Sequence, residues 1–465
     1  MQKLNEICSC ESKANSETEF VGIRCEKTKE GGALETSIIF PLGYFKDDSA
    51  LRELPEEELR ECVVNLFTVL SDPSLQEQIH QDSSISTFAE EHGESEFPMV
   101  SYLNVIRNFL DFGYLDEKEI LYKKGANGKI NWGRTIKAVQ PVITEDAQNL
   151  VYLDFIARKV SYNEGTLITQ VHKFCVHDAL VKLGFLFGID PSEEPQLDFD
   201  YDLFCNAIHS KLAKTFNDRD LRLLADLARI VEYLAGHKTE DGKTANEFYF
   251  GVKKFAPVWE AMVDRIFGKL PQGVAKDKFN PHCEWDLSSG ARGYENSNYA
   301  MRPDTIMWDE KGNRLYVLDA KYYKFGVTGS ASDLPSSGSI CKQIAYAEYV
   351  ERLVLQKEIP ACEGTTVNAI YNAFLLPYCF DADNSQLPPD DSFETRPCKM
   401  RFIGFCHGNW KNLDARPGEV DYRPYHRIAG ILLDVRSVME NYGAFGEAQK
   451  TLATCILREI TNFSA

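Results

Sequence analysis

Residues 301–326, MRPDTIMWDEKGNRLYVLDAKYYKFG, carry the reading of this chain. An apolar strand, residues 315–318, follows a second strand-like run and ends in Asp319-Ala320-Lys321. Side chains alternate along a strand, so Tyr316, Leu318 and Ala320 take one face while Asp319 and Lys321 share the other. A second acid, Asp304, follows Pro303 at the start of the preceding run. Charges set into apolar surroundings are costly unless they are paired or bound to a metal. The bland alternative is an Asp319–Lys321 ion pair at a strand end. The letters Asp-x-Lys do not decide the matter, because Asp116, Asp241 and Asp309 open the same pattern in polar, turn-like surroundings. Delivery by an apolar strand sets Asp319 apart.

Two flanking features extend the pattern. Glu260 stands between apolar neighbours in PVWEAMV, on a helical stretch before the hairpin. Gln343, with Tyr346 and Tyr349, lies on a helical stretch after it. Each has an ordinary reading: Glu260 on the wet side of its helix, Gln343 as a cap, the tyrosines as packing. Together they make helix-Glu, strand-Asp, strand-Asp-x-Lys and helix-Gln-x-x-Tyr, in that order.

That order resembles the PD-(D/E)XK nuclease superfamily. RPDTIM and YVLDAKYYK are similar to the McrC nuclease subunits and to the LlaJI-type restriction endonucleases related to them. The resemblance is strongest over residues 248–351. GKINWGRTIK, FAPVWEAMV and HRIAGILLDV also look LlaJI-like, which extends it over most of the chain. It implies an α/β fold: a C-terminal restriction-endonuclease-like mixed sheet flanked by helices, with N-terminal and middle α+β regions. It also implies Mg²⁺-dependent hydrolysis of double-stranded DNA in a bacterial restriction system, Mn²⁺ serving as a substitute. Glu260, Asp304, Asp319, Lys321 and Gln343 are then the catalytic set. Asp304, Asp319, the Ala320 carbonyl and Glu260 are its metal ligands, since magnesium prefers hard oxygen donors. Lys321 orients the attacking water, assists its deprotonation or neutralises charge, three roles that residues alone leave open. An AAA+ motor of the McrB type is the implied partner, the chain having no G-x-x-x-x-G-K-[ST] loop of its own. A double-strand cut needs two active sites or two visits, so a homodimer on DNA is a further expectation.

The rest of the chain sets bounds. At 465 residues it exceeds one ordinary core, and three regions are expected: 1–95, 96–240 and 241–465. Net charge is −19, which argues against non-specific coating of nucleic acid. The charge is uneven. Residues 1–100 hold 21 acidic and 8 basic side chains, a candidate docking region for a partner. Residues 121–137 instead hold Lys123, Lys124, Lys129, Arg134 and Lys137 with no acid, and Trp132 among them. The intervening Gly-Ala-Asn-Gly reads as the turn of a β-hairpin. Behind the helix expected over 98–114, that hairpin suits a winged-helix-like DNA-binding module. Elsewhere the patterning predicts a polar connection over 83–96, a strand over 150–160, a boundary at 238–245, a helix opening with EFYFGV and a helical segment over 428–442. Thirteen scattered cysteines fit a reducing cytoplasm better than a disulfide framework. Neither a signal-peptide layout nor a membrane-length apolar run is present.

Two other classes compete. A non-catalytic DNA-binding or assembly subunit retaining the fold has no chemical need for Asp304, Asp319 and Lys321. A carboxylate-pair glycosidase needs no lysine and leaves Gln343 unexplained.

Overall fold

The computed structural model describes residues 8–12, 20–27, 34–72, 97–115, 117–125, 129–143, 150–163, 166–191, 194–236, 247–283, 301–359, 362, 364–380, 398–442 and 446–464. The polar connection expected over 83–96, the boundary expected at 238–245, and Asp116 and Asp241 lie outside them. The described residues form two compact units, one from 3–96 and 247–465, the other from 97–246.

The first unit begins with β1 (Cys8–Ser12), β2 (Val21–Lys27) and β3 (Leu34–Phe40). β3 lies between the other two, parallel to β1 and antiparallel to β2. Pro55 caps the helix Glu56–Leu70, whose first turn holds Glu56, Glu57 and Glu58 where the helix dipole favours acids. Its buried Leu59, Cys62, Val63, Leu66 and Phe67 follow the three-and-four spacing of one helix face.

The unit from 97–246 is mostly helical, with helices Met99–Phe112, Leu167–Phe187, Tyr201–Leu212 and Asp218–Gly236. Tyr102 donates to Asp178 at 2.6 Å, and Asp178 pairs with Lys182 one turn on, all three buried. Stranding one charge of such a pair costs about 3–5 kcal/mol, so the network fixes one packing of these helices. A small sheet holds β4 (Glu117–Lys124) and β5 (Lys129–Ile130). β6 (Val142–Ile143) and β7 (Leu150–Val151) pair separately, and β8 (Ile156–Asn163) completes the set.

Here the hairpin expectation fails. The basic arms β4 and β5 do not pair with each other; both pair antiparallel with β8, which lies between them. The second arm turns at Asn131 into the helix Trp132–Ala138, because the Asn131 carboxamide oxygen accepts the Arg134 N–H at 3.0 Å. That is an N-cap, which ends a strand. The single strand expected over 150–160 is likewise two strands, β7 and β8.

Back in the first unit, EFYFGV was expected to open a helix and is instead β9 (Phe248–Val252). Phe248, Phe250 and Val252 are buried in alternation, the two-residue period of a strand. β9 pairs antiparallel with β2, so the N-terminal region does not stand apart but shares a sheet with the segment after residue 247. Gly22 and Gly251 face each other across that pair. A Cβ at either would lie 2.2 Å from a carbonyl oxygen of the opposing strand, and both backbones are at positive φ.

After the helix Ala256–Phe267 comes a mixed five-stranded sheet. It contains β10 (Thr305–Asp309), β11 (Arg314–Ala320), β12 (Ile370–Tyr378), β13 (Met400–Cys406) and β14 (Ile428–Asp434). The order is β10-β11-β12-β14-β13, with β11, β12 and β14 parallel and the two edges antiparallel. The α/β class is therefore observed. Residues 428–442, expected to be helical, are strand β14 followed by the helix Val435–Glu440. A continuous apolar run such as IAGILL suits a central strand buried on both faces as well as a buried helix. The helix Ser337–Leu355 lays Tyr346, Ala347, Val350 and Leu353 against Ile306, Leu315, Val317 and Ile370. Each such side chain, fully buried, contributes about 1.5–3 kcal/mol for its larger members. Among the described residues no helix is long and apolar enough to cross a membrane.

The Gly22–Gly251 contact gives a direct test. Gly22→Ala should lower stability by about 2 kcal/mol or more through overpacking and strain. The drop is measurable as a lower urea midpoint of the 3–96/247–465 unit. An unchanged midpoint would show that the strands tolerate the methyl group.

Candidate active site and basic face

Register places the acids. Thr305 pairs with Leu318, so Asp304 and Asp319 come together where the β10–β11 ladder ends. Leu315 and Val317 face the helix Ser337–Leu355, and Asp319, two residues on, shares their face at the strand end. Asp319 is only 3% exposed. Asp304 is half-buried, and its Oδ2 accepts the Ala320 N–H at 2.9 Å. Lys321 stays in the sheet through its own N–H, donated to the Leu375 carbonyl at 2.9 Å. Its Nζ lies 2.6 Å from Asp319 Oδ2. Asp319 and Lys321 do share a face, as their spacing requires.

The electrostatics follow from crowding. Burial, then the carboxylates of Asp319 and Glu260, push the Asp304 carboxyl well above the usual carboxylate range, against the opposing pull of Lys321. Burial pulls the Lys321 ammonium down, but Asp319, Asp304 and Glu260 outweigh it and leave Lys321 raised. Glu260, half-buried on the helix Ala256–Phe267, is thus felt by both groups. Even so, no three His, Cys, Asp or Glu side chains among the described residues stand close enough for a ready-made metal cage. Glu260 does not close one with Asp304 and Asp319. Two adjacent carboxylates with mutual repulsion still fit Mg²⁺, which keeps several waters and needs one or two carboxylates.

Gln343 was expected in the catalytic set. It is 1% exposed, and its amide nitrogen donates to the Val317 carbonyl at 2.8 Å and to Asn372 Oδ1 at 3.3 Å. It bonds the helix to the backbone of β11, two residues before Asp319, rather than reaching a carboxylate. Tyr346, left outside the set as packing, donates to the Arg302 carbonyl at 2.7 Å and so holds the approach to Asp304. Two neighbours escaped sequence reading. Lys276 Nζ donates to the Asp304 carbonyl and to Asp264 Oδ2. The Tyr322 hydroxyl accepts the Leu42 N–H at 2.6 Å, joining the residue after Lys321 to the N-terminal segment. No motif marks either, because both act through backbone atoms. A cavity of about 640 Å³ lies elsewhere, between Asp309, Lys311 and Arg314 at the hairpin turn and the helix Glu447–Ser464. Five strand residues put that turn roughly 15 Å from the acids.

The basic residues lie in the 97–246 unit. Tyr122 and Lys129 both pair with Arg158, so these three share a face of the small sheet. Lys124, two residues from Tyr122, points the same way and pairs with Asp154 at 2.7 Å; Lys123 points the other way. Arg134 stacks over Tyr122 at 3.9 Å. Trp132, 52% exposed, meets Phe155 and Tyr152 edge-on. Lys137 is exposed on the same short helix as Trp132 and Arg134. Arg158, exposed between the two basic arms, is an addition that the hairpin reading could not supply.

Comparison with known proteins bears on this geometry. The model of the LlaJI restriction endonuclease family matches residues 43–388. The Type II restriction enzyme BsuMI component YdjA of Bacillus subtilis (strain 168) is 26% identical over 274 residues, 57% of this chain and 55% of that protein. The chain thus spans about half the length of that relative. A solved half-complex of Thermococcus gammatolerans McrB AAA+ hexamers with bound McrC aligns over 95% of this chain and 83% of the solved one. Its identity is 12% and its TM-score 0.35.

The raised Asp304 carboxyl has a definite sign. A carboxyl raised in the native state binds its proton more tightly there than in the unfolded chain, whose ordinary value is 3.8. Its contribution to stability therefore falls as pH rises above about 4. Without divalent cations, Asp304→Asn should be more stable than the wild type near neutral pH, and the gain should vanish at about pH 4. Urea denaturation in a chelator at both pH values checks this; a less stable variant at neutral pH would refute the repulsion.

Proposed function

The chain belongs to the LlaJI restriction endonuclease family, and from that premise we propose that it is a Mg²⁺-dependent endonuclease cutting double-stranded DNA. The observation that carries this reading is the ion pair of buried Asp319 with half-buried Lys321, set beside Asp304 at one strand-pair end. A restriction-endonuclease-like core of the PD-(D/E)XK kind is part of the proposal, supported by the mixed five-stranded sheet that delivers these residues.

The residues that would hold the ion are Asp304, Asp319 and the Ala320 carbonyl, with Glu260 nearby. Bound there, Mg²⁺ supplies a water of lowered pKa and neutralises charge developing on the phosphoryl oxygens. The protein's own residues do the rest. The Ala320 N–H orients the Asp304 carboxylate, and Asp319 orients Lys321. Lys321 is kept protonated by its acidic neighbours, so it is suited to meet a phosphate oxygen rather than take a proton from water. Of its three expected roles, charge neutralisation fits best.

The basic face of Lys124, Lys129, Arg134, Lys137 and Arg158, with Trp132 beside it, is our candidate for DNA contact; Lys123 adds charge from the opposite face. The relative YdjA is described as a component of a restriction enzyme. We extend that to this chain as one subunit among several, an AAA+ motor of the McrB type being the partner its McrC resemblance implies.

Plasmid DNA with Mg²⁺, alone and with a candidate motor, tests the activity. Asp319→Asn and Lys321→Ala should each cut at least about 100-fold more slowly while remaining folded. Equal cutting by either variant would sink the assignment. Separately, Arg134→Ala and Lys129→Ala should weaken DNA binding at every sequence and each flatten the salt dependence by about one unit of slope. An unaltered slope would remove this face from the interface.

A further inference from the structure

We propose that Lys276 is a positioning residue that sets the separation between Glu260 and Asp304. This rests on the metal-site reading above and concerns how that site is held. Lys276 opens the short 3₁₀ turn Lys276–Phe279, which is anchored by the fully buried Phe279 and by an ion pair of Lys278 with Glu358. From there its Nζ makes two bonds, to Asp264 Oδ2 at 2.7 Å and to the backbone carbonyl of Asp304 at 2.5 Å. Asp264 lies four residues after Glu260 on the helix Ala256–Phe267, so both acids occupy one helix face. The ammonium therefore ties the helix that carries Glu260 to the turn that carries Asp304.

The grip on Asp304 is on its carbonyl, not its carboxylate. Lys276 consequently touches no atom that would hold the ion, and its effect passes through geometry. The Asp304 turn is held from three directions. Tyr346 grips the Arg302 carbonyl, Lys276 grips the Asp304 carbonyl, and the Ala320 N–H meets the Asp304 side chain. Of these, only the Lys276 contact reaches the helix bearing Glu260. Lys276 also supplies a positive charge at Asp264, limiting the negative charge that accumulates along that helix face.

The test uses the full chain without DNA, reading Mg²⁺ binding by isothermal titration calorimetry. Lys276→Met should weaken Mg²⁺ about tenfold, the size typical of lost outer-shell support. Lys276→Arg, which keeps charge and reach, should recover most of that loss. Asp264→Asn should weaken binding in the same direction. Adding it to Lys276→Met should cost nothing further, because the two act through one contact. Single-turnover cleavage at saturating Mg²⁺ should stay within about twofold of wild type for Lys276→Met, since binding rather than chemistry is affected. Wild-type Mg²⁺ affinity in a folded Lys276→Met variant would overturn the proposal and leave the site reading standing. A wild-type chain that takes up no Mg²⁺ would overturn both. Should Lys276→Met fail to fold by circular dichroism, Asp264→Asn decides: unchanged affinity there refutes the tie.

Discussion

Two carboxyl groups, Asp304 and Asp319, are forced together at the end of one antiparallel strand pair, and the surrounding structure answers to that crowding. Neither can move away, because register fixes both backbones and the Ala320 N–H holds the Asp304 carboxylate. Burial raises the cost of charge, and Glu260 adds to it. Lys321 offsets part of the repulsion from the same strand. Such an arrangement is poorly explained as a stabilising device, since an apolar pair of similar volume would sit there at lower cost. On the function proposed above, a bound cation would relieve the same crowding.

Holding that site engages elements far apart in sequence. Gln343 and Asn372 bond the helix Ser337–Leu355 to β11 and its neighbour β12. Trp259 donates to the Leu375 carbonyl, the residue paired with Ala320. Leu42, from a region whose net acidity suggested a separate docking module, hydrogen-bonds to Tyr322 beside Lys321. The N-terminal segment is therefore part of the scaffold. Its acidic residues are compatible with burial of its strands because Glu56, Glu57 and Glu58 sit in one helical first turn, while Val21, Ile23, Ile38 and Ile39 of the strands are fully buried.

The hairpin and its charges were legible in sequence because a two-residue period leaves little choice of face. Sequence spacing alone groups Asp304, Asp319 and Lys321, and the helices carrying Glu260 and Gln343 were legible from amphipathic spacing. Three kinds of information were not. Continuous apolar runs such as residues 428–434 look alike as strand or buried helix until their neighbours are known. The pairing of both basic arms with β8 depends on a strand more than twenty residues away, which no turn motif announces. Contacts to backbone carbonyls, such as those of Lys276 and Gln343, leave no signature in the letters. Gln343 was grouped with the site for its place in a pattern, whereas its amide supports the strand beneath it.

The pairing of β2 with β9 has a consequence in time. Lys27 and Glu247, whose side chains meet at the edge of this sheet, are 220 residues apart, and the whole 97–246 unit is synthesised between them. At translation rates of about 5–20 residues per second, β2 waits on the order of 10–45 s for its partner to emerge. During that interval Val21 and Ile23 lack one flank of their sheet, and the helical unit is free to fold first. The waiting strand carries Arg24, Glu26 and Lys27, the kind of charged side chains that blunt an unpaired sheet edge.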